Sequence, residues 1–479
     1  MKRHRTVGAG LGLVLILALT LLLKLANHSP VRILWSIAAP GTGERLAVGP
    51  DGTIYQAGFG FLRAYDTNGH LRWTLPRGIW VNSAPAIGQD GTIYLREAIA
   101  RFTDGIAGTN SGLLALHPDG SVKWRFPMPH ICDFEGLPTG MAFALDNRDT
   151  VYFITASGFF TPKSLMAVSK DGRELWHFDS TNNWVAPLEV APGEAVLFHS
   201  SDGTNRCFLR FGTDGRAGDL RPQQDTEDMA FTTDWEGVVY LPGMKGATMT
   251  ALNPDGSLRW AYRSAFRGVS VPTIAADSSL YFTAAIKGRR DVFLVALTRN
   301  GKKKWEFRLG PHWNFNPPTV AADGTLFVVS SDPKLTALNP DGTLRWVFKP
   351  QRRFSKRVPT NWRQFKQVLS EDLGSGMNVF VTPPALTADG VLYVGFGSPY
   401  DRLYALNVGV GLATNSPWPM EAGNPRLTWS VAGRHAALPL PAGQVSTNRV
   451  DWRKGSLEHS ATEKTLSSPA FFNRFLPRL

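Results

Sequence analysis

The densest group of potential metal ligands in this chain is His130, Cys132, Asp133 and Glu135, in the stretch HICDFE. Imidazole and thiolate together suit a transition metal. His312 and Trp313 form a smaller polar and aromatic pair. No further cluster repeats a zinc or haem spacing, so ordinary loop polarity is the expectation for both groups and no metal is implied. A third set is cationic: Arg352, Arg353, Lys356, Arg357, Arg363 and Lys366 follow Lys349 and are opposed only by Glu371 and Asp372. Trp362, Phe365, Val368 and Leu369 recur there at helical spacing, which predicts a short amphipathic helix. Its basic side either faces solvent or meets an acidic protein, an anionic lipid or a polyanionic glycan. The six cations and Trp362 are thus the candidate partner-binding residues, with the His130 group and His312–Trp313 as the weaker alternative.

Eight carboxylates, at Asp51, Asp90, Asp119, Asp171, Asp255, Asp323, Asp341 and Asp389, invite a calcium reading. All eight precede a glycine between apolar stretches; turn chemistry explains the set, because Asp bonds its own backbone and Gly takes the positive-φ position. Cys132 and Cys207 are the two cysteines of the chain. A single disulfide and two isolated thiols both remain open. No Ser/His/Asp nucleophile motif and no phosphate-cradling glycine loop stands out.

The elements that must position these residues repeat. LTALNPDGTLRWVFK at 335–349 is an apolar strand, a tight turn and a strand centred on Trp346. Such alternation about a turn signal is a hairpin signature. Copies surround Trp73, Trp124, Trp176, Trp260 and Trp305, and a degenerate copy without Trp spans 208–220. A second hairpin, of the PTVAADGTLFVV type at 318–329, precedes most of them. Joined, they form a four-stranded antiparallel meander, the size of a propeller blade. Trp35 lacks strands of its own, and 382–407 lacks a fourth. The predicted fold is therefore all-β: an eight-bladed propeller of four-stranded antiparallel blades over 32–420, the last blade made of 32–38 with 382–407.

The repeated LxALxPDGxxxWxF and PxIxxDGTxY signatures resemble the pyrroloquinoline-quinone-type propeller repeat. That repeat occurs in quinoprotein alcohol dehydrogenases and in the propeller lipoprotein of the outer-membrane protein assembly machinery. The enzymes of that family use vicinal cysteines, a calcium site and an Asp base. Here no cysteines are adjacent and no calcium set is placed by motif. The resemblance thus implies the scaffold without cofactor chemistry. A quinoprotein-like or sugar-directed enzyme and a glycan-binding propeller are the alternatives to a binding scaffold.

In such a meander the first and third connections share one face of the disc. These are the short Asp-Gly turns. The long stretches 96–112, 127–140, 287–291, 309–317 and 349–380 belong to the other face. Long loops on a rigid scaffold usually carry binding, so the site is expected there. The repeated tryptophans are expected to be wedges between blades, not a stacking platform.

The amino-terminus MKRHR, with 1–6 as a basic head, precedes an apolar run over 7–26. This predicts a signal anchor, a transmembrane helix with the propeller on the extracytoplasmic (periplasmic) side of the cytoplasmic membrane. The cleaved-signal alternative has only a poor site at Lys24-Leu25-Ala26-Asn27. The formal charge of +12 concentrates at this terminus and in 349–366, which does not make a nucleic-acid face. The tail 431–479 has no sustained period and is expected to be irregular.

Overall fold

A computed structural model of the chain describes residues 31–420, apart from 40–44, 59–60, 76–79, 82–83, 99–111, 128–142, 156–162, 181–183, 192–194, 202–205, 217–220, 224–230, 244–246, 287–290, 312–315, 331, 351–380, 398–399 and 417–419. The described residues form β-strands and turns, with no helix among them. The strands assemble into eight antiparallel sheets, taken here as blades in chain order. Seven are continuous meanders, spanning 46–74, 80–127, 143–180, 184–223, 232–262, 266–311 and 319–348. The eighth joins the chain ends. Arg32–Ala38 is its outermost strand and pairs along Arg402–Asn407.

The expectation for the fold is corrected in two respects. No helix of the described residues is long and apolar enough to cross a membrane. The basic head and the apolar run 7–26 lie outside the described residues, as does the tail 431–479. Nor are the sheets uniformly four-stranded: blades 2 and 6 each hold five strands. In blade 6, Phe266–Val269 and Thr273–Ile274 both pair with Leu280–Ile286. They are one innermost strand interrupted at Pro272, which has no N–H to give the ladder. A hydroxyl bridges the interruption: Ser270 N donates to Thr283 O (2.9 Å) and Thr283 N donates to Ser270 Oγ (3.0 Å). Blade 8 repeats the device before Pro383 and Pro384, where Gly395 N donates to Thr382 Oγ1 at 2.6 Å.

Packing at six of the eight junctions between blades follows one rule. The outermost strand carries a Trp whose indole N–H donates to a carbonyl in the last turn of the next blade. The pairs are Trp35–Thr67, Trp73–Pro118, Trp124–Lys170, Trp176–Thr213, Trp260–Arg299 and Trp305–Pro340, at 2.7–2.9 Å. The turn glycine two residues on lies flat under the ring. At Gly342 (φ +87°) an added Cβ would stand 2.6 Å from Trp305, so glycine is required by conformation and by contact. Behind each indole, a residue of the second strand supplies a ring, as in Tyr281–Trp305 (5.7 Å) and Phe327–Trp346 (5.7 Å). The tryptophans are wedges between blades, with large apolar contact and, in the six pairs above, a satisfied N–H.

Candidate functional site

One face of the disc is defined by the Asp-Gly turns. Each outermost strand that carries a Trp has a register shift just before it, as between Ala337 and Leu338 opposite Trp346 and Leu344. A bulge re-aims the extra residue. In blades 1, 2, 6 and 7 that residue is a cation that reaches the Asp of the blade's first turn. Arg72–Asp51 and Lys123–Asp90 are 3.1 Å apart, Lys304–Asp277 3.4 Å and Arg345–Asp323 2.9 Å. Burial alone would raise these carboxyls. Hydrogen bonds from Thr53, Thr92, Ser279 and Thr325, with the paired cations, outweigh it and hold them below the usual carboxylate range.

Blades 3 and 5 use another solution. Tyr152 and Tyr240 donate to Asp146 (3.0 Å) and Asp234 (2.9 Å) inside the turn. Burial pushes the Asp234 carboxyl up despite backbone N–H bonds and Arg299 at 3.6 Å. The turn carboxylates are therefore consumed by the fold. Among the described residues no group of three or more His, Cys, Asp or Glu side chains could hold a metal ion.

The connections in which the candidate residues lie start from strand ends on the opposite face. His130, Cys132, Asp133 and Glu135 fall within 128–142, His312 and Trp313 within 312–315, and Arg352, Arg353, Lys356, Arg357, Trp362, Arg363 and Lys366 within 351–380, all outside the described residues. Cys207 lies on the strand Arg206–Phe211. The points where these connections leave the ring are described. The first follows Val122–Pro127 and enters blade 3; the second follows Lys303–Pro311 and enters blade 7. Those junctions are four blades apart, so the ring does not root the His130 group beside His312 and Trp313. The basic insertion is rooted at the junction of blades 7 and 8, next to the root of 312–315.

That root is rigid. Phe348, the last residue of Leu344–Phe348, is buried and meets Tyr404 edge-on at 5.2 Å. Tyr404 in turn meets Phe396 at 6.0 Å. On the far side Val381 is buried and bridges Phe396. Asn316 Nδ2 donates to Val381 O at 3.3 Å, and Thr283 Oγ1 donates to Asn316 O at 3.3 Å. Both ends of the insertion are thus clamped into two adjoining blades, while the insertion itself carries six cations beyond Lys349. Nearby charges are paired locally, Arg308 with Asp291 (2.8 Å) and Lys334 with Asp332 (3.0 Å). Sequence reasoning missed the cation–Asp pairs and the hydroxyl bridges at proline. The repeated basic residue before Trp was visible, but its partner lies two strands away.

This arrangement defines a class first: a β-propeller of pyrroloquinoline-quinone-type repeats whose turn face is spent on structure. The sequence profile of the family described as outer membrane protein assembly factor BamB matches residues 32–177, 163–346 and 290–376. The chain belongs to that family. Among solved structures it is similar to BamB from Moraxella catarrhalis, with 14% identity, coverage of 79% of this chain and 99% of that one, and a TM-score of 0.52. Virginiamycin B lyase from Staphylococcus aureus is matched at 9% identity over 78% of this chain and 98% of that one, with a TM-score of 0.40. No curated protein sequence matches the chain.

Proposed function

We propose that this chain is a non-enzymatic scaffold of the cell envelope that binds protein partners in outer-membrane protein assembly through the loop face of its propeller. Family membership supports the class of function. The observation that carries the placement is the clamped root of 351–380: a long cationic insertion held at both ends by buried residues of two blades. Fixed roots lower the ordering cost of a binding loop, and cations at that density favour an acidic partner surface. Arg352, Arg353, Lys356, Arg357, Trp362, Arg363 and Lys366 are the residues assigned to this contact. The basic head and apolar run of the first 26 residues support export with attachment to the cytoplasmic membrane, the propeller lying on its periplasmic side.

The test is crosslinking and affinity capture from envelope membranes. The full chain is compared with a variant in which the six cations from Arg352 to Lys366 are replaced by Gln. Loss of a specific crosslinked protein partner from the variant, with an unchanged circular dichroism spectrum, is the expected result. An identical set of partners sinks the assignment to the insertion.

A further inference from the structure

At one of the junctions that depart from the tryptophan rule, half of the joint is still built. The last turn of blade 5, Asn253-Pro254-Asp255-Gly256, has the same four residues as the last turn of blade 7, Asn339-Pro340-Asp341-Gly342. The two turns are bonded alike. Asn253 N donates to Ser257 O (2.9 Å) and Gly256 N to Asn253 O (2.8 Å), as Asn339 N does to Thr343 O (2.8 Å) and Gly342 N to Asn339 O (2.9 Å). Asn253 Nδ2 donates to Ser257 Oγ at 2.9 Å, and Asn339 Nδ2 to Thr343 Oγ1 at 2.9 Å. Gly256 and Gly342 both have positive φ, +79° and +87°. In blade 7 the turn carries the Trp305 indole, whose N–H donates to Pro340 O. In blade 5 no indole N–H among the described residues reaches Pro254 O.

The neighbour that should supply the indole does not. The outermost strand of blade 4, Arg221–Gln223, pairs with Arg206–Phe208 and holds no Trp. Exposure records the difference. The turn glycines beneath Trp35, Trp73, Trp124, Trp176, Trp260 and Trp305 are buried or half-buried, whereas Gly256 is exposed and so is Pro254. Leu258, two residues on, is 63% exposed, the highest value among the large apolar side chains described. The turn thus holds its shape with no tryptophan on it. A surface already in its bound shape loses little freedom on binding. An unbonded carbonyl beside a glycine offers an indole one acceptor and a flat contact. Six filled copies in the same molecule show which side chain this geometry accepts. We infer that Asn253–Gly256 is a preformed socket for an indole, and that its occupant is a tryptophan side chain presented by a partner protein. Tryptophan is among the residues that most often anchor such contacts.

The socket belongs to the turn face of blade 5, so the inference goes beyond the loop-face contact and its test touches no residue of 351–380. The probe is N-acetyltryptophan amide, fluorinated on the indole ring, titrated against the full chain and followed by fluorine NMR. Saturable binding is expected. Gly256→Ala places a methyl on the platform, where a Cβ at Gly342 would stand 2.6 Å from Trp305, and is expected to abolish binding. Gly409→Ala makes the same change at a positive-φ glycine with nothing within 4 Å, and is expected to leave binding as it was. The probe methylated at the indole nitrogen cannot donate to Pro254 O and is expected to bind about five-fold more weakly, the loss of one hydrogen bond. No saturable binding overturns the socket. So does binding that survives Gly256→Ala, or equal affinity for the methylated probe. The last comparison uses the unaltered chain and stands whether or not Gly256→Ala folds.

Discussion

The junction between blades 6 and 7 and the junction between blades 7 and 8 solve the same packing problem differently. At the first, Trp305 lies on the Pro340–Gly342 turn and bonds its carbonyl. At the second, Trp346 has no such turn to meet, because the outermost strand of blade 8 comes from the other end of the chain. The chain after Asn407 instead adds Val408 and Val410 to the apolar cluster against which Trp346 packs, and then runs along the inner edge of blade 7. The hold moves inward to Thr319 Oγ1 on Pro384 O (2.8 Å), Asn316 on Val381 O, and the Ala322–Gly411 bond. Breaking chain continuity at the rim has been offset by continuity at the axis. The basic insertion is rooted at this same junction, at the opposite face of the disc.

Substitution of the two indoles should separate the joints most clearly. Trp305→Ala and Trp346→Ala each remove a large half-buried aromatic and should cost about 3 kcal/mol. Phenylalanine keeps most of the ring and removes the N–H. Trp305→Phe should therefore still cost about 1 kcal/mol, while Trp346→Phe should be close to neutral. Urea unfolding midpoints followed by far-ultraviolet circular dichroism measure both. Equal costs for the two Phe variants would remove the distinction between the joints.

Much of the ring is legible in the sequence because each blade must satisfy the same local rules. Asp-Gly fixes where a hairpin turns, alternation fixes which residues face the core, and Trp marks the outermost strand. The missing strand of the last blade could be traced to residues 32–38 because Trp35 had no preceding partner, and the structure pairs Arg32–Ala38 with Arg402–Asn407. The path of the chain after the last strand was not legible. Residues 410–416, VGLATNS, have no period and no turn signature, and only the free edges of distant innermost strands give them hydrogen-bonding partners. The bulge before each Trp was hidden for a similar reason. A single extra residue leaves no compositional trace, although the recurring Arg-Trp and Lys-Trp pairs hinted at it. The candidate site was legible as charge and length in 349–380, whereas its clamping by Phe348, Val381 and Asn316 depends on contacts between blades.

The glycines sharpen the comparison with a smaller effect. Gly342 and Gly409 both follow the third strand of their blade and both have positive φ, +87° and +75°. An alanine at Gly342 would press on Trp305, whereas nothing lies within 4 Å of a Cβ at Gly409. Gly409→Ala should thus cost only the backbone strain, about 1 kcal/mol. Gly342→Ala should cost about 2 kcal/mol, since steric displacement of the indole adds to the strain. The same unfolding measurement reads both, and combining Gly342→Ala with Trp305→Ala should recover the excess. Failure to recover it would mean that the indole is not the obstacle.

The smallest effect concerns the charges on the turn face. In blade 7 the bulge carries Arg345, paired with Asp323; in blade 8 it carries Leu34, and the turn acid Asp389 accepts the Thr387 hydroxyl instead. The Asp323 carboxyl is held below its ordinary value, since the Thr325 and Arg345 hydrogen bonds outweigh burial. Its contribution is therefore present above the ordinary Asp pKa and is lost as pH falls through the depressed value. Both partners are well exposed, so solvent screening limits the pair to about 0.5 kcal/mol. Asp323→Asn should lower stability by that amount at neutral pH and low salt. The deficit should shrink in acid, as pH falls below the ordinary carboxylate range and through the depressed value, and with added salt. Asp389→Asn, with no cation at the bulge, should show no such salt dependence. A deficit for Asp323→Asn that is indifferent to both pH and salt would assign the residue to turn geometry alone and erase the electrostatic difference between the two blades.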